Sequence, residues 1–362
     1  MSLILGIETS CDETAAAVVQ DGRRVLSNII ASQHDLHRRY RGVVPEIASR
    51  AHLERISPVV HEALEQAGVT LPAIDAVAVG NRPGLIGSLL VGVSAAQALA
   101  WALNKPLIGI DHVQAHLYAA QLLPHAGEAS TNGESAIDYP ALGLVVSGGH
   151  TSLYEARSPT DLTLLGRTID DAVGEAYDKA AVILGLGYPG GPAVDALAQQ
   201  GNPRAYDLPR SLLEPQSLDF SFSGLKTALL YQVRGRPRGR GRQAAFERSA
   251  HDLTDAQRAD LAASFQAAVV DTLLIKLQRA FDHLESQGRR PRSVVLGGGV
   301  SANSLLRQRV AQWGPEHNLK VCIPPLAYCL DNAAMIAGLA HVYLDQGQTS
   351  DLNLPAMATA AC

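Results

Sequence analysis

The chain has 362 residues, of which 47% are apolar, 18% are charged and 32 are glycine, so it can bury one large core or two and is rich in turns. A formal net charge of −5 gives no global field that would draw the molecule onto nucleic acid, so any such contact needs a local basic patch. Cys11, Cys322, Cys329 and Cys362 show neither CxxC spacing nor a disulfide framework, which fits a reduced, cytoplasmic protein. The apolar start lacks a basic region and runs into Asp12 and Glu13, so it reads as a strand rather than a signal peptide. The longest apolar stretches are broken by Gly, Asn or Lys short of membrane-spanning length, and no membrane association is expected.

In chain order, residues 3–8 form an expected buried strand ending in the polar turn 9–14. Residues 15–19 follow as a second strand, and Asp21-Gly22 as a hairpin turn. Residues 45–66 read as a helix, with Pro45 at its start and Gly68 after its end. A strand at 76–79 leads through the turn Arg82–Gly87 into a long helix crowded with small residues, ending near Leu103. A strand ending near Ile110 then delivers His112 and His116, four apart. On a helix that spacing places both imidazoles on one face, able to grip one metal ion. Residues 124–139 form an expected loop.

The opening pattern then repeats. Residues 141–146 are again a buried strand, Ser147-Gly148-Gly149-His150-Thr151 a glycine turn and residues 152–156 a returning strand, which suggests a duplicated α/β fold with two facing lobes. Asp171, Glu175 and Asp178 are spaced for one face of a helix, with Ala172, Val173, Ala176 and Ala180 opposite. Residues 219–227 form a compact polar loop leading into a helix. Residues 234–243 are basic and of low complexity, a solvated loop able to touch a polyanion. A long amphipathic helix spans 258–283. A strand at 293–296 runs into Gly297-Gly298-Gly299 and a further helix, an arrangement suited to phosphate or ribose oxygens although it is neither GxGxxG nor a Walker loop. A last strand at 321–323 precedes a helix capped by Asp331 or Asn332.

Three glycine turns placed after strands (147–149, 190–191 and 297–299) predict a phosphate-bearing ligand held between lobes. Asp331 can complete a two-His, one-carboxylate metal site with an open position. A metalloprotease reading fails, because Val113 stands where an HExxH enzyme needs its glutamate.

The motifs 6–14, 42–50, His112-x-x-x-His116, 146–151, 170–179, 188–192, 219–227, 298–303 and Asp331-Asn332, in that order, resemble those of the tRNA N6-adenosine threonylcarbamoyltransferase family (TsaD), in the actin-like superfamily of sugar and acetate kinases. The resemblance implies duplicated ribonuclease-H-like lobes: residues 1–123 completed by a helix at 331–346, a linker at 124–139, and residues 140–330. It implies that the threonylcarbamoyl group of threonylcarbamoyl-AMP passes to N6 of adenosine 37 in tRNAs reading codons that begin with A, with release of AMP. It further implies one divalent metal, Fe2+ or Zn2+, on His112, His116 and Asp331. Val145, Val146, Ser147, Gly148 and Gly149 would hold the phosphate and carbamoyl part of the donor, Asp178, Gly191, Asp195 and Asn303 its nucleotide, and Asp12 would be the catalytic residue. Implied partners are tRNA, a catalytically inert TsaB-like paralogue docking near 45–66 and 84–103, and a small TsaE-like ATPase. The chain departs from the family at Arg82, where glycine is usual, and in longer loops at 124–139 and 234–250. The alternative is a small-molecule carbamoyltransferase, or an ATP-dependent kinase or switch of the same fold, which would act without tRNA.

Overall fold

The structure, a computed structural model, describes residues 1–38, 40, 42–123, 136–210, 214–237 and 246–359. The greater part of the 124–139 loop and of the basic stretch at 234–243, together with Cys362, lies outside the described residues.

Two five-stranded sheets of the same design carry the fold. In the first, β1 (Leu3–Glu8), β2 (Glu13–Gln20) and β3 (Arg24–Ser32) form an antiparallel meander. Asp21 and Gly22 turn the first hairpin with φ of 49° and 72°, the left-handed pair that a two-residue turn requires. After α1 (His34–Arg38) and α2 (Pro45–Ala67), β4 (Ala76–Arg82) joins β1 in parallel. Then α3 (Ile86–Leu103) crosses to β5 (Leu107–Asp111), which extends the sheet and delivers α4 (His112–Tyr118).

The second sheet repeats that plan. β6 (Ala141–Val146), β7 (Thr151–Ser158) and β8 (Asp161–Arg167) are antiparallel. Helices α5 (Val173–Leu184), α6 (Gly190–Ala198), α7 (Ser223–Arg234) and α8 (Asp255–Ser286) intervene before β9 (Ser293–Gly297) joins β6 in parallel. α9 (Ser304–Glu316) then leads to β10 (Lys320–Cys322) and α10 (Ala333–Asp345). The orders β3-β2-β1-β4-β5 and β8-β7-β6-β9-β10 are the same, so the duplication expected from two hairpins extends to all ten strands.

The last helix returns to the first sheet. Met335, Ile336, Ala337 and Leu339 of α10 share a core with Ile4, Ala15, Ala17 and Ala78. A Cβ on Gly6 would lie 2.4 Å from the carbonyl oxygen of Ala333, so α10 sits on β1 only because residue 6 is glycine. This contact fixes Asp331, two residues before α10, over the end of β1.

Three expectations need correction, and residues 161–167, not assigned above, form β8. Asp171 is not on a helix face: α5 begins at Val173, whose amide is taken by Thr151 Oγ1 at 2.8 Å, while the carbonyl of Asp171 accepts from Thr168 Oγ1 at 2.8 Å. Gly190-Gly191 follows helix α5 rather than a strand. Finally, α3 runs 18 residues without a charge, long and apolar enough by composition to cross a membrane, contrary to the reading above. Its place is that of a core helix, with Leu89, Val93, Ala96 and Ala100 buried.

Asp171 accepts from Lys179 Nζ at 2.6 Å and Lys226 Nζ at 2.8 Å. Burial raises its pKa, but the two lysines outweigh that and hold it below the ordinary carboxylate value. The stability contributed by Asp171 is therefore present above about pH 4 and is lost as pH falls through the lowered folded-state value. Calorimetric melting of Asp171→Asn is expected to show a deficit against wild type at pH 7 that closes on acidification. A deficit of the same size at every pH would refute this.

Candidate metal centre and inter-lobe cleft

The site begins where β5 ends. Asp111 caps α4, its Oδ1 accepting from the amides of Val113 at 3.0 Å and Gln114 at 3.2 Å. One turn of α4 then stacks His112 and His116, ring centroids 4.5 Å apart. Asp331 meets them from the other end of the chain, its Oδ1 lying 3.5 Å from His112 Nε2 and 3.2 Å from His116 Nε2. Asn332 makes this possible. Its Oδ1 caps α10 by accepting from Met335 N at 3.0 Å, which leaves the Asp331 carboxylate free of helix capping.

The three residues fit a metal ion. One ligand atom from each lies within 4.8 Å of the others. His116 is fully buried, its Nδ1 has no hydrogen-bond partner, and its Nε2 faces only the Asp331 carboxylate at 3.2 Å. Two enclosed imidazole nitrogens so sparsely satisfied are a costly arrangement unless a ligand claims one of them. Two nitrogens and a carboxylate oxygen, with further positions open, suit zinc or ferrous iron. The charges around the group are tightly coupled. Burial pushes the His112 imidazole down, but Asp331 and Glu8 overcome it and hold the ring well above the usual histidine range. Burial would raise Asp331, and His112 then His116 hold it well below its ordinary value.

Glu8 is a site residue that the motifs contained but the sequence reading passed over. Its Oε1 accepts from Ser10 N at 2.6 Å, and its Oε2 lies 3.2 Å from His112 Nδ1. His112 Nδ1 thus faces Ser10 Oγ and the Glu8 carboxylate, each at 3.2 Å, and Nε2 is left to face Asp331. Gly80 makes room for it, since a Cβ there would lie 2.4 Å from Glu8 Oε2. Glu8→Gln is expected to weaken metal affinity about 10- to 100-fold, read by competition with a chromophoric chelator. Unchanged affinity would show that Glu8 does not orient the ring.

Across the cleft lies the glycine turn after β6. Val145 and Val146 are fully buried, packed into the cores on the two faces of the second sheet, so they support the turn from beneath. Gly148 and Gly149 face open space, with nothing within 4 Å of where a Cβ would be. Ser147 ties the turn, its amide donating to His150 O at 2.8 Å and its Oγ accepting from His150 N at 3.0 Å. This places the His150 ring 6.5 Å from that of His112. Burial, then His112 and His116, push His150 down to about 4, so it presents a neutral imidazole at neutral pH.

The remaining sequence-predicted residues form two groups. Asp178 accepts from Gly190 N at 2.8 Å and so braces the turn that holds Gly191. Asp195 and Asn303 are brought together by buried Gln266, whose Nε2 donates to Asp195 Oδ1 at 2.9 Å and whose Oε1 accepts from Asn303 Nδ2 at 2.9 Å. Asp195 also accepts from Ser304 Oγ at 2.7 Å, and Asn303 caps α9 through Leu306 N. Gln266 lies inside an amphipathic helix pattern and gives no local signal.

Asp12 follows β1 in the opening turn. It is 6% exposed, and its Oδ2 is enclosed without a hydrogen-bond partner. The turn is anchored from α2: the carbonyl of Cys11 lies 3.0 Å from His52 Nε2, and Thr14 Oγ1 lies 2.8 Å from His52 Nδ1. Tyr188, before α6, is pushed up by its burial and then by the charges of Asp12 and Asp178. Metal ligands, glycine turn and Asp12 thus border one cleft between the sheets.

A family model described as tRNA N6-adenosine threonylcarbamoyltransferase (TsaD) matches residues 24–338. The chain is 50% identical over 357 residues to the tRNA N6-adenosine threonylcarbamoyltransferase of Trichlorobacter lovleyi, covering 99% of this chain and 96% of that protein. It is 51% identical over 355 residues to the protein of the same name from Symbiobacterium thermophilum, covering 98% and 95%. Among solved structures it is similar to T. kodakarensis HypF, with a TM-score of 0.57 at 15% identity over 98% of this chain and 49% of that one. It is also similar to component A of the (R)-2-hydroxyglutaryl-CoA dehydratase of Acidaminococcus fermentans, with a TM-score of 0.51 at 13% identity over 96% and 100%. At such identities these two structures speak for the actin-like fold alone.

Proposed function

The chain belongs to the tRNA N6-adenosine threonylcarbamoyltransferase family, and from that premise we propose that its cleft uses threonylcarbamoyl-AMP as the donor for tRNA modification. N6 of adenosine 37 attacks the carbamoyl carbon, a C–N bond forms, the bond to the AMP phosphate breaks and N6 gives up a proton. The observation that carries the site assignment is the convergence of His112, buried His116 and Asp331, with ligand atoms within 4.8 Å of one another. These residues would hold Fe2+ or Zn2+, one per subunit, which when bound supplies a Lewis acid for the donor's threonylcarbamoyl end.

The protein's own residues do the rest. Glu8 and Asp331 fix the imidazoles. The turn at Gly148 and Gly149, uncrowded by side chains, offers its amides to the donor's phosphate and to the oxygen that gains charge as N6 attacks. Asp12, in the opening turn, accepts the N6 proton. The Asp178–Gly191 turn and the Asp195–Gln266–Asn303 bridge hold the nucleotide end.

Residues 1–123 with 331–346 form one lobe and 140–330 the other. The TsaB-like paralogue docks on α2 and α3, where Leu53, Ile86 and Leu90 are exposed. The TsaE-like ATPase joins that assembly in the cytoplasm.

The test is mass spectrometry of nucleosides from unmodified tRNA incubated with protein, metal, partners and threonylcarbamoyl-AMP. Threonylcarbamoyladenosine that depends on tRNA and on the donor supports the reading. A different carbamoyl donor serving equally well removes threonylcarbamoyl-AMP from it, and turnover of the donor onto small amines without tRNA favours the small-molecule alternative.

A further inference from the structure

Beside the His112–His116–Asp331 group, a second set of metal-ligating side chains converges at the rim of the cleft. Asp12 and Glu13 lie where the opening turn enters β2, and His34 begins α1 after the end of β3. One ligand atom from each of the three lies within 4.8 Å of the others, with His34 Nε2 3.4 Å from Glu13 Oε1. Asp12 and Glu13 are 6% and 9% exposed. Asp12 Oδ2 is sealed from solvent with no hydrogen-bond partner.

The charge balance is unfavourable as it stands. Asp331 and Glu8 are near enough that their charges act on Glu13 along with that of Asp12. Among the described residues no lysine or arginine makes an ion pair with Asp12 or Glu13, and the basic group that approaches Glu13 is His34. One divalent ion on the first group offsets two of these four carboxylates and leaves the Asp12–Glu13 pair uncompensated. Buried carboxylates at this separation require a proton or a cation between them.

We propose that Asp12, Glu13 and His34 form a second divalent-cation site, separate from the two-histidine centre and selective for a harder ion such as Mn2+. Two carboxylates and one imidazole make a harder ligand set than two imidazoles and one carboxylate, so the two sites sort metals by chemistry. Three protein ligands leave coordination positions open. The His34 ring meets Tyr188 edge-on at 5.9 Å, so the site faces the segment leading into α6, from which a phosphate oxygen would complete it. Asp12 contributes one oxygen and keeps the other for the cleft. The site does not depend on which donor or acceptor the enzyme uses.

The test is Mn2+ titration of the full chain, followed by electron paramagnetic resonance. Wild type preloaded with one equivalent of Zn2+, and separately the His112→Ala/His116→Ala double variant, are each expected to bind one Mn2+ saturably. Glu13→Gln and His34→Gln, introduced singly into either background, are each expected to weaken that binding at least ~10-fold. His34 is 39% exposed, so its replacement leaves the core undisturbed. No saturable Mn2+ in the Zn2+-loaded wild type, or affinity indifferent to either substitution, overturns the site. Those outcomes leave transfer to tRNA untouched, since that is scored by product.

Discussion

Protein carrying His116→Ala is expected to lose metal affinity by at least ~100-fold and to form no detectable threonylcarbamoyladenosine, because even removing a residue that only orients a ligand costs ~10- to 100-fold. His116 is chosen over His112 because its one polar neighbour is Asp331, itself a ligand of the group. Its Nδ1 lacks a hydrogen bond, and burial together with His112 holds the imidazole below the usual histidine range, which favours the neutral ring with a lone pair available. His112, by contrast, also answers to Glu8 and Ser10 Oγ, and its removal would disturb the end of β1 as well as the metal. Metal content by elemental analysis and product by nucleoside mass spectrometry should fall together, while the melting transition stays cooperative. Full metal content with product retained would place the centre elsewhere. Full metal content with product lost would give His116 a role in transfer unconnected with binding the ion.

How much of this could be read from the chain follows from which interactions are local. The hairpins, the two β-to-helix turns that carry histidines or glycines, and the caps at Gly68 and Asn332 are set by neighbours in sequence, so residue type and spacing announce them. Asp331 joining His112 and His116 is not local, since it depends on α10 reaching β1 over Gly6. The motif resemblance supplied it. Glu8 was hidden for a different reason: a glutamate ending an apolar strand looks like the edge of the strand, and only the approach of His112 reveals its function. The misreading of Asp171 as a helix-face residue shows the converse. Its spacing to Glu175 and Asp178 fits a helix, but Thr151 and Thr168 claim the backbone first, and the 219–223 loop holds the neighbouring Asp170 carboxylate. Long-range hydrogen bonds overrode the local period.

Asp12→Asn should lower kcat about 10²- to 10⁴-fold, the span of a general base, with KM for tRNA and donor little changed. Asparagine matches aspartate in shape, and the carboxylate oxygen without a partner has no structural bond to lose, so the fold should survive. The same residue is also a ligand in the second cation site, and the two roles give different signatures. If Asp12 acts on the N6 proton, the loss persists at saturating Mn2+. If its contribution is only to hold the cation, raising Mn2+ restores kcat. His34→Gln separates the cases from the other side. It removes a cation ligand without touching the proton acceptor, so its defect should yield to Mn2+ whether or not that of Asp12→Asn does. A kcat within tenfold of wild type for Asp12→Asn would leave the N6 proton to solvent or to the leaving phosphate.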